Sequence, residues 1–178
     1  MWYVVVVVVV VANCAIKAKS YARDTGLSNT WGCSERIGFV RLNGKLIWRK
    51  SWCGVYADAR GVTIIKIEPF NCTRISTDTF DNDDANGAND LRDYLDGLAD
   101  GEVIIGVTGE DPSYGLDNAL DALSNFGVDV SDVGEQGSFS FVGEKGSSTK
   151  TKLDKKTSVS WHDPAFAQVT VRGKCKVS

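Results

Sequence analysis

The chain contains a single histidine, His162, among its 178 residues. A Ser–His–Asp triad needs a histidine base beside a nucleophile, and histidine-rich zinc or two-histidine iron sites need more than one imidazole. No G-x-S-x-G accompanies His162, and Asp163 is its chain neighbour, so a turn histidine is expected there. No C-x-x-C occurs, which argues against a zinc ribbon or a thioredoxin-like motif. There are three prolines, and the 18 glycines follow no period, which excludes a collagen-like chain. No apolar run reaches the roughly 20 residues that a membrane helix requires, so no membrane span is expected in the mature chain. Positive charge is also short. Lys and Arg total 20 against 23 Asp and Glu, and the sequence pI is near 5.2. That argues against nucleic acid as a partner, because phosphates need a positive surface, though a small basic pocket stays open.

What is present reads as one globular domain: 43% of residues are hydrophobic and 24% charged. Met1 to Ala12 are almost wholly apolar and include eight consecutive valines, Val4 to Val11. This fits the apolar region of a secretory signal peptide, residues 1–15, with cleavage near Cys14 or Ala15; a buried strand is the alternative. The expected product is secreted and extracellular, with a polar extended arm over 16–35 and a domain over 36–178. Loss of Cys14 would leave Cys33, Cys53, Cys72 and Cys175, an even number suited to two disulfides. The expected pairing joins Cys33 to Cys175, tying the domain ends, and Cys53 to Cys72. Asn71-Cys72-Thr73 is an N-glycosylation sequon, so a glycoprotein with sugar on Asn71 is expected.

Local signals then order the chain. Asn43-Gly44 between apolar runs at 37–42 and 45–48 signals a hairpin with a type I′ turn. Residues 62–67 and 74–80 read as paired strands across a turn at 69–72. Leu91, Tyr94, Leu95 and Leu98 form one apolar helix stripe, capped by Asn89 or Asp90, and Leu116, Ala119, Leu120 and Leu123 form a second. Val103 to Val107 is apolar throughout, as a strand covered on both faces is. Phe139, Phe141 and Val142 mark another strand, Ser147 to Lys156 a Ser/Thr/Lys-rich loop, and Val169 to Val171 a last strand.

Few residues suggest chemistry. Asn82, Asp84, Asn86, Asp90 and Asp93 fall at ligand positions of an EF-hand-like loop, with Gly87 at its sixth position, so a calcium site is one expectation. The other is a polar strand-to-helix loop whose Asn and Asp residues make turns and caps. Ser147-x-x-Lys150 lacks the helix start that a penicillin-binding enzyme would need. Trp31, Trp48, Trp52 and Trp161 are scattered and fit ordinary packing. No carboxylate pair can be assigned to glycoside hydrolysis.

From Arg60 onward an ordered set of short motifs accumulates. Arg60-Gly61 opens a hydrophobic strand, Phe80-Asp81 closes the next, and Asp100-Gly101-Glu102-Val103-Ile104 follows the first helix. Gly109-Glu110-Asp111, Leu120 to Gly127, and Gly137-Ser138-Phe139-Ser140-Phe141-Val142-Gly143-Glu144-Lys145-Gly146 complete it. Over about residues 36–175 the chain resembles the ILEI/PANDER family of secreted cytokine-like proteins (interleukin-like EMT inducer, pancreatic-derived factor). Similar domains occur in hyaluronan-handling surface proteins and in the stem of protein O-mannose N-acetylglucosaminyltransferase. The resemblance implies a compact α+β domain, mostly antiparallel sheets flanked by two or three helices, secreted and not an enzyme. The transferase stem holds a β-linked GlcNAc with an arginine, a carboxylate and a second arginine. Those positions fall on Arg60, on Glu110 beside Asp111, and on Gln136, so the trio is incomplete here. The resemblance also supports Cys33–Cys175. It leaves two expectations open: a module binding extracellular glycan or matrix through Arg60, Glu110, Asp111 and Gln136, or a cytokine-like ligand acting through a cell-surface protein or self-association. No cofactor is required by either.

Overall fold

Three adjacent strands buried on both faces set the layering of the molecule. The computed structural model describes residues 13–20, 37–51, 61–81, 85–109, 112–113, 115–134, 137–157 and 167–174. The described strands are β1 (Asn13–Lys19), β2 (Ile37–Leu42), β3 (Lys45–Ser51), β4 (Gly61–Glu68), β5 (Thr73–Phe80), β6 (Val103–Gly109), β7 (Ser138–Glu144), β8 (Ser147–Lys156) and β9 (Gln168–Lys174). The helices are α1 (Ala85–Gly97) and α2 (Leu120–Ser124), the latter preceded by a 3-10 turn, Leu116–Ala119. One sheet has the order β3-β2-β1-β9 and the other β5-β4-β6-β7-β8, and every described pair is antiparallel. The fold is therefore α+β, mostly antiparallel sheet with two helices.

Alternation divides the side chains of the five-stranded sheet between two cores. Val62, Ile64, Ile104, Phe139 and Phe141 meet Leu91, Leu95 and Leu123 of the helices. Ile65, Ile67, Val103, Ile105, Val107 and Val142 meet Ile16, Ala18, Val40 and Leu42 of the other sheet. A strand serving both cores has no polar face, which explains the unbroken apolar run at Val103 to Val107. The Asn43-Gly44 turn has both residues at positive φ, 48° and 80°, as a type I′ turn requires.

Lys145, in the β7–β8 turn, is the polar tie between sheet and helix. Its Nζ donates to the carbonyls of Leu95, Asp96 and Leu98 at 2.9, 2.8 and 2.6 Å. These belong to the C-terminal end of α1, which has no basic residue in its own last turn. Lys145→Met keeps the aliphatic stem and removes the donor. It should lower unfolding stability in urea by about 1–3 kcal/mol.

The structure revises several sequence expectations. Asn13 to Lys19, expected at the end of a leader and the start of an extended arm, form β1, inside the four-stranded sheet between β2 and β9. A boundary after residue 15 would cut through that strand. Residues 1–12 and most of the expected arm, 21–35, lie outside the described residues. Cys72 pairs with Cys14 and not with Cys53. The bond bridges β1 and the β4–β5 turn, so it joins the two sheets. Cys33, Cys53 and Cys175 lie outside the described residues. Ser147 to Lys156 is a strand at the sheet edge and not a loop. Helix α1 starts at Ala85, which places Asn89 and Asp90 within the helix and not at its cap.

Candidate functional site

Strand register brings the described residues that flank the expected site positions to one end of the five-stranded sheet. Gly61, the first residue of β4, is the Cα partner of Gly109, the last of β6. Arg60 immediately precedes Gly61, and Glu110 and Asp111 immediately follow Gly109. Strand β6 pairs next with β7, with Val107 opposite Ser140, so β7 begins at this same end, at Ser138, two residues after Gln136. Arg60, Glu110, Asp111 and Gln136 themselves lie outside the described residues. The described backbone brings their near neighbours in the chain, Gly61, Gly109 and Ser138, to one end of three neighbouring strands. Gly61 has φ 81°, a left-handed conformation that favours glycine and accounts for the residue after Arg60.

Beneath this end lies a buried cluster of hydroxyls that the sequence did not suggest. Ser20, Thr108, Ser138 and Ser140 are all fully buried. The Thr108 backbone N–H donates to Ser20 Oγ at 2.8 Å, and Ser20 Oγ in turn donates to the Phe139 carbonyl. Ser20 Oγ lies 2.6 Å from Ser140 Oγ, which donates to the Ala167 carbonyl at 3.0 Å. The Phe139 N–H donates to Thr108 Oγ1 at 3.1 Å, and the Ser20 N–H to the Ala167 carbonyl at 2.9 Å. Satisfied buried networks of this kind rigidify their surroundings. This one locks the ends of β6 and β7 to the residues flanking β1 and β9. The arrangement supplies a stiff base for recognition, and no nucleophile–base pair occurs in it.

The expected calcium loop has a different form. Asn86, Asp90 and Asp93 are exposed on α1, and Asn82 and Asp84 lie outside the described residues. An EF-hand loop must wrap its odd-numbered positions around the ion, and a helix running from Ala85 cannot do so. Asp93 also accepts from the Arg92 guanidinium at 2.7 Å. Among the described residues, no group of three or more His, Cys, Asp or Glu is placed to hold a metal ion. Gly87 serves packing. A Cβ there would lie 2.6 Å from the Asp81 carbonyl carbon and nearer still to its oxygen.

Asn71 is exposed in the β4–β5 turn, and Thr73 Oγ1 donates to its Oδ1 at 2.6 Å. Cys72 between them is buried and disulfide-bonded. Beside this turn is a cleft of about 500 Å³ lined by Leu42, Lys45, Leu46, Ile47, Cys72 and Arg74, among others. Among the described residues, the titratable groups with shifted pKa values lie elsewhere. Glu102, at the opposite end of β6, is held below the usual carboxylate range, chiefly by its hydrogen bond with Lys66. Burial raises the Tyr94 phenol.

Residues 60–147 match the interleukin-like EMT inducer family. The chain carries an ILEI domain. The match starts at Arg60, runs through β4, β5, α1, β6, α2 and β7, and ends at the first residue of β8. Strands β1, β2, β3 and β9 lie outside it, so the matched stretch is narrower than residues 36–175, over which the sequence resemblance extends. Among the curated proteins, none matches the chain. The ILEI family points to a cytokine-like or binding domain. The Cys14–Cys72 bond is consistent with secretion, since disulfides persist in oxidising compartments. No described helix is long and apolar enough to cross a membrane.

Proposed function

We propose that this ILEI domain protein is a secreted, non-catalytic module that binds extracellular glycan or matrix at the β4–β6–β7 end of its sheet. The observation that supports this reading is the Gly61–Gly109 pairing, since Arg60 precedes Gly61 and Glu110 follows Gly109 in the sequence. An arginine and a carboxylate held over a rigid base suit sugar hydroxyls, which can accept from one and donate to the other. Gln136, neutral and able both to donate and to accept, replaces a second cation and favours an uncharged sugar.

A glycan array with the secreted, disulfide-intact protein tests the reading. Saturable binding to a defined terminal sugar is expected, and Arg60→Ala should weaken it by on the order of tenfold to a hundredfold, the loss of one charge-assisted hydrogen-bond donor. A blank array from folded protein would overturn the proposal.

A second reading, a ligand acting through a cell-surface protein, has its own support. Leu46, Phe70 and Ile75 are 41%, 55% and 54% exposed. Exposed apolar surface of this kind marks protein contacts more often than sugar sites.

A further inference from the structure

The charge of this acidic chain is divided unevenly in space. Strands β1, β2, β3 and β9 carry eight of its 20 Lys and Arg and none of its 23 Asp and Glu. The rest of the chain therefore sets 12 cations against all 23 acids. A net charge of −3 conceals a basic sheet on an acidic body.

Alternation turns Lys17, Arg41 and Arg49 outward. Ile16, Ala18, Val40 and Leu42 are buried against the five-stranded sheet, while Lys17, Arg41 and Arg49 are exposed. Lys17 and Arg41 are Cα partners on neighbouring strands, and Phe39 pairs with Lys19 on one side and Arg49 on the other. Lys17 Nζ and the Arg41 guanidinium each lie 5.8 Å from the centre of the Phe39 ring. Like charges directly opposite one another destabilise a strand pair. Contact with the ring offsets part of that cost, and a bound anion would remove the rest.

The basic strand of the other sheet shows the contrast. On β8, Lys150 pairs with Glu144, Lys155 with Asp132 and Lys156 with Asp154. Among the described residues, Lys17, Arg41 and Arg49 make no ion pair with a carboxylate. On β8 three of the lysines are thus paired locally, whereas Lys17, Arg41 and Arg49 have no carboxylate partner among the described residues.

We propose that this outer face binds a sulfated polysaccharide of the glycosaminoglycan type, with Lys17, Arg41 and Arg49 contacting sulfates. Strands about 4.8 Å apart, with same-face residues about 7 Å apart along each, give a grid of cations on a twisted surface. A flexible linear polyanion can follow that twist. A planar bilayer fits it poorly, and Leu46 is the one exposed large apolar side chain described on this sheet, too little to anchor in lipid. The sheet lies outside residues 60–147, the stretch that matches the ILEI family. It is also separate from the Arg60 end of the other sheet.

The test is binding of the full-length secreted protein to immobilised heparin across a salt series. Wild type should bind, with affinity falling steeply as salt rises. Lys17→Gln/Arg41→Gln/Arg49→Gln should weaken binding by on the order of tenfold or more while unfolding like wild type, because all three side chains are exposed. Lys17→Gln and Arg49→Gln alone should each give a smaller loss, which keeps the test open should the triple variant fold poorly. Lys152→Gln/Lys156→Gln on β8 should bind as wild type, which separates this surface from simple net charge. Three results would overturn the proposal. They are wild-type protein that passes heparin at low salt, cation variants that bind undiminished, and equal binding to desulfated heparin. Binding to phosphatidylserine vesicles without heparin binding would reassign the face to a membrane surface.

Discussion

Gly106→Val should be among the most damaging single substitutions in this protein, costing about 3 kcal/mol or more of unfolding stability. Gly106 lies in β6 with Ile64 as its Cα partner on one side and Phe141 on the other. The Phe141 ring lies across the space a side chain would fill. A Cβ on Gly106 would be 2.5 and 2.6 Å from Cζ and Cδ1 of that ring, and closer still to Cε1. Nor can the ring swing aside. Phe141 is fully buried and shares its core with Phe126, Phe139, Leu91 and Leu123. Close packing of that kind transmits overpacking to its neighbours instead of absorbing it. The proposed cause makes a second expectation. Gly106→Ala should be strongly destabilising alone and less so with Phe141→Leu, because the smaller side chain removes the clash. A double-mutant cycle in urea should therefore return a favourable coupling of about 1 kcal/mol or more. Strict additivity would show that Gly106 is required for some reason other than the Phe141 ring.

The elements legible in the sequence were those with a local physical cause. Asn43-Gly44 tolerates positive φ at both positions, and the hairpin forms there. Val103 to Val107 is apolar throughout because both faces of β6 are buried. The misread elements depend on partners distant in sequence. Ser147 to Lys156 has the composition of a loop, yet it pairs along β7 as an edge strand, where lysines deter further pairing. Cys14-Ala15-Ile16-Lys17-Ala18 alternates as a strand should, but it adjoins the run of valines, which masks the alternation, and its partners β2 and β9 are distant in sequence. Helix α1 starts before its apolar stripe because Gly87 lets it pack on the Asp81 carbonyl. The candidate site was legible through family resemblance alone. No periodicity links Arg60 to Glu110 across fifty residues of sequence; the β4–β6 register pairs only their neighbours, Gly61 and Gly109. The basic sheet was hidden for the opposite reason, since summing charge over the whole chain erased its separation in space.

Removing the Cys14–Cys72 bond should have the other large effect. The two cysteines are 58 residues apart. Closing a loop of that length restricts the unfolded chain by about 4 kcal/mol in the chain-entropy description. The cross-link also joins two differently defined parts of the molecule. Cys14 lies on a strand outside the family match and Cys72 within it. Both cysteines are buried against the inter-sheet core, so their loss loosens the contact between the sheets. Cys14→Ala/Cys72→Ala is the clean variant, because either single replacement leaves a thiol free to exchange with Cys33, Cys53 or Cys175. Its expected loss by urea unfolding is about 2–4 kcal/mol. Backbone geometry refines the expectation. Cys72 has φ 56°, a left-handed conformation that costs a residue with a Cβ about 1–2 kcal/mol. In the Cys14→Ala background, Cys72→Gly should therefore be more stable than Cys72→Ala, by up to about 1 kcal/mol after glycine's greater unfolded-state freedom is counted. If the double alanine variant unfolds at the wild-type urea concentration, the bond does not hold the sheets together. If the glycine variant is the weaker of the two, the turn does not retain its left-handed residue once the bond is gone.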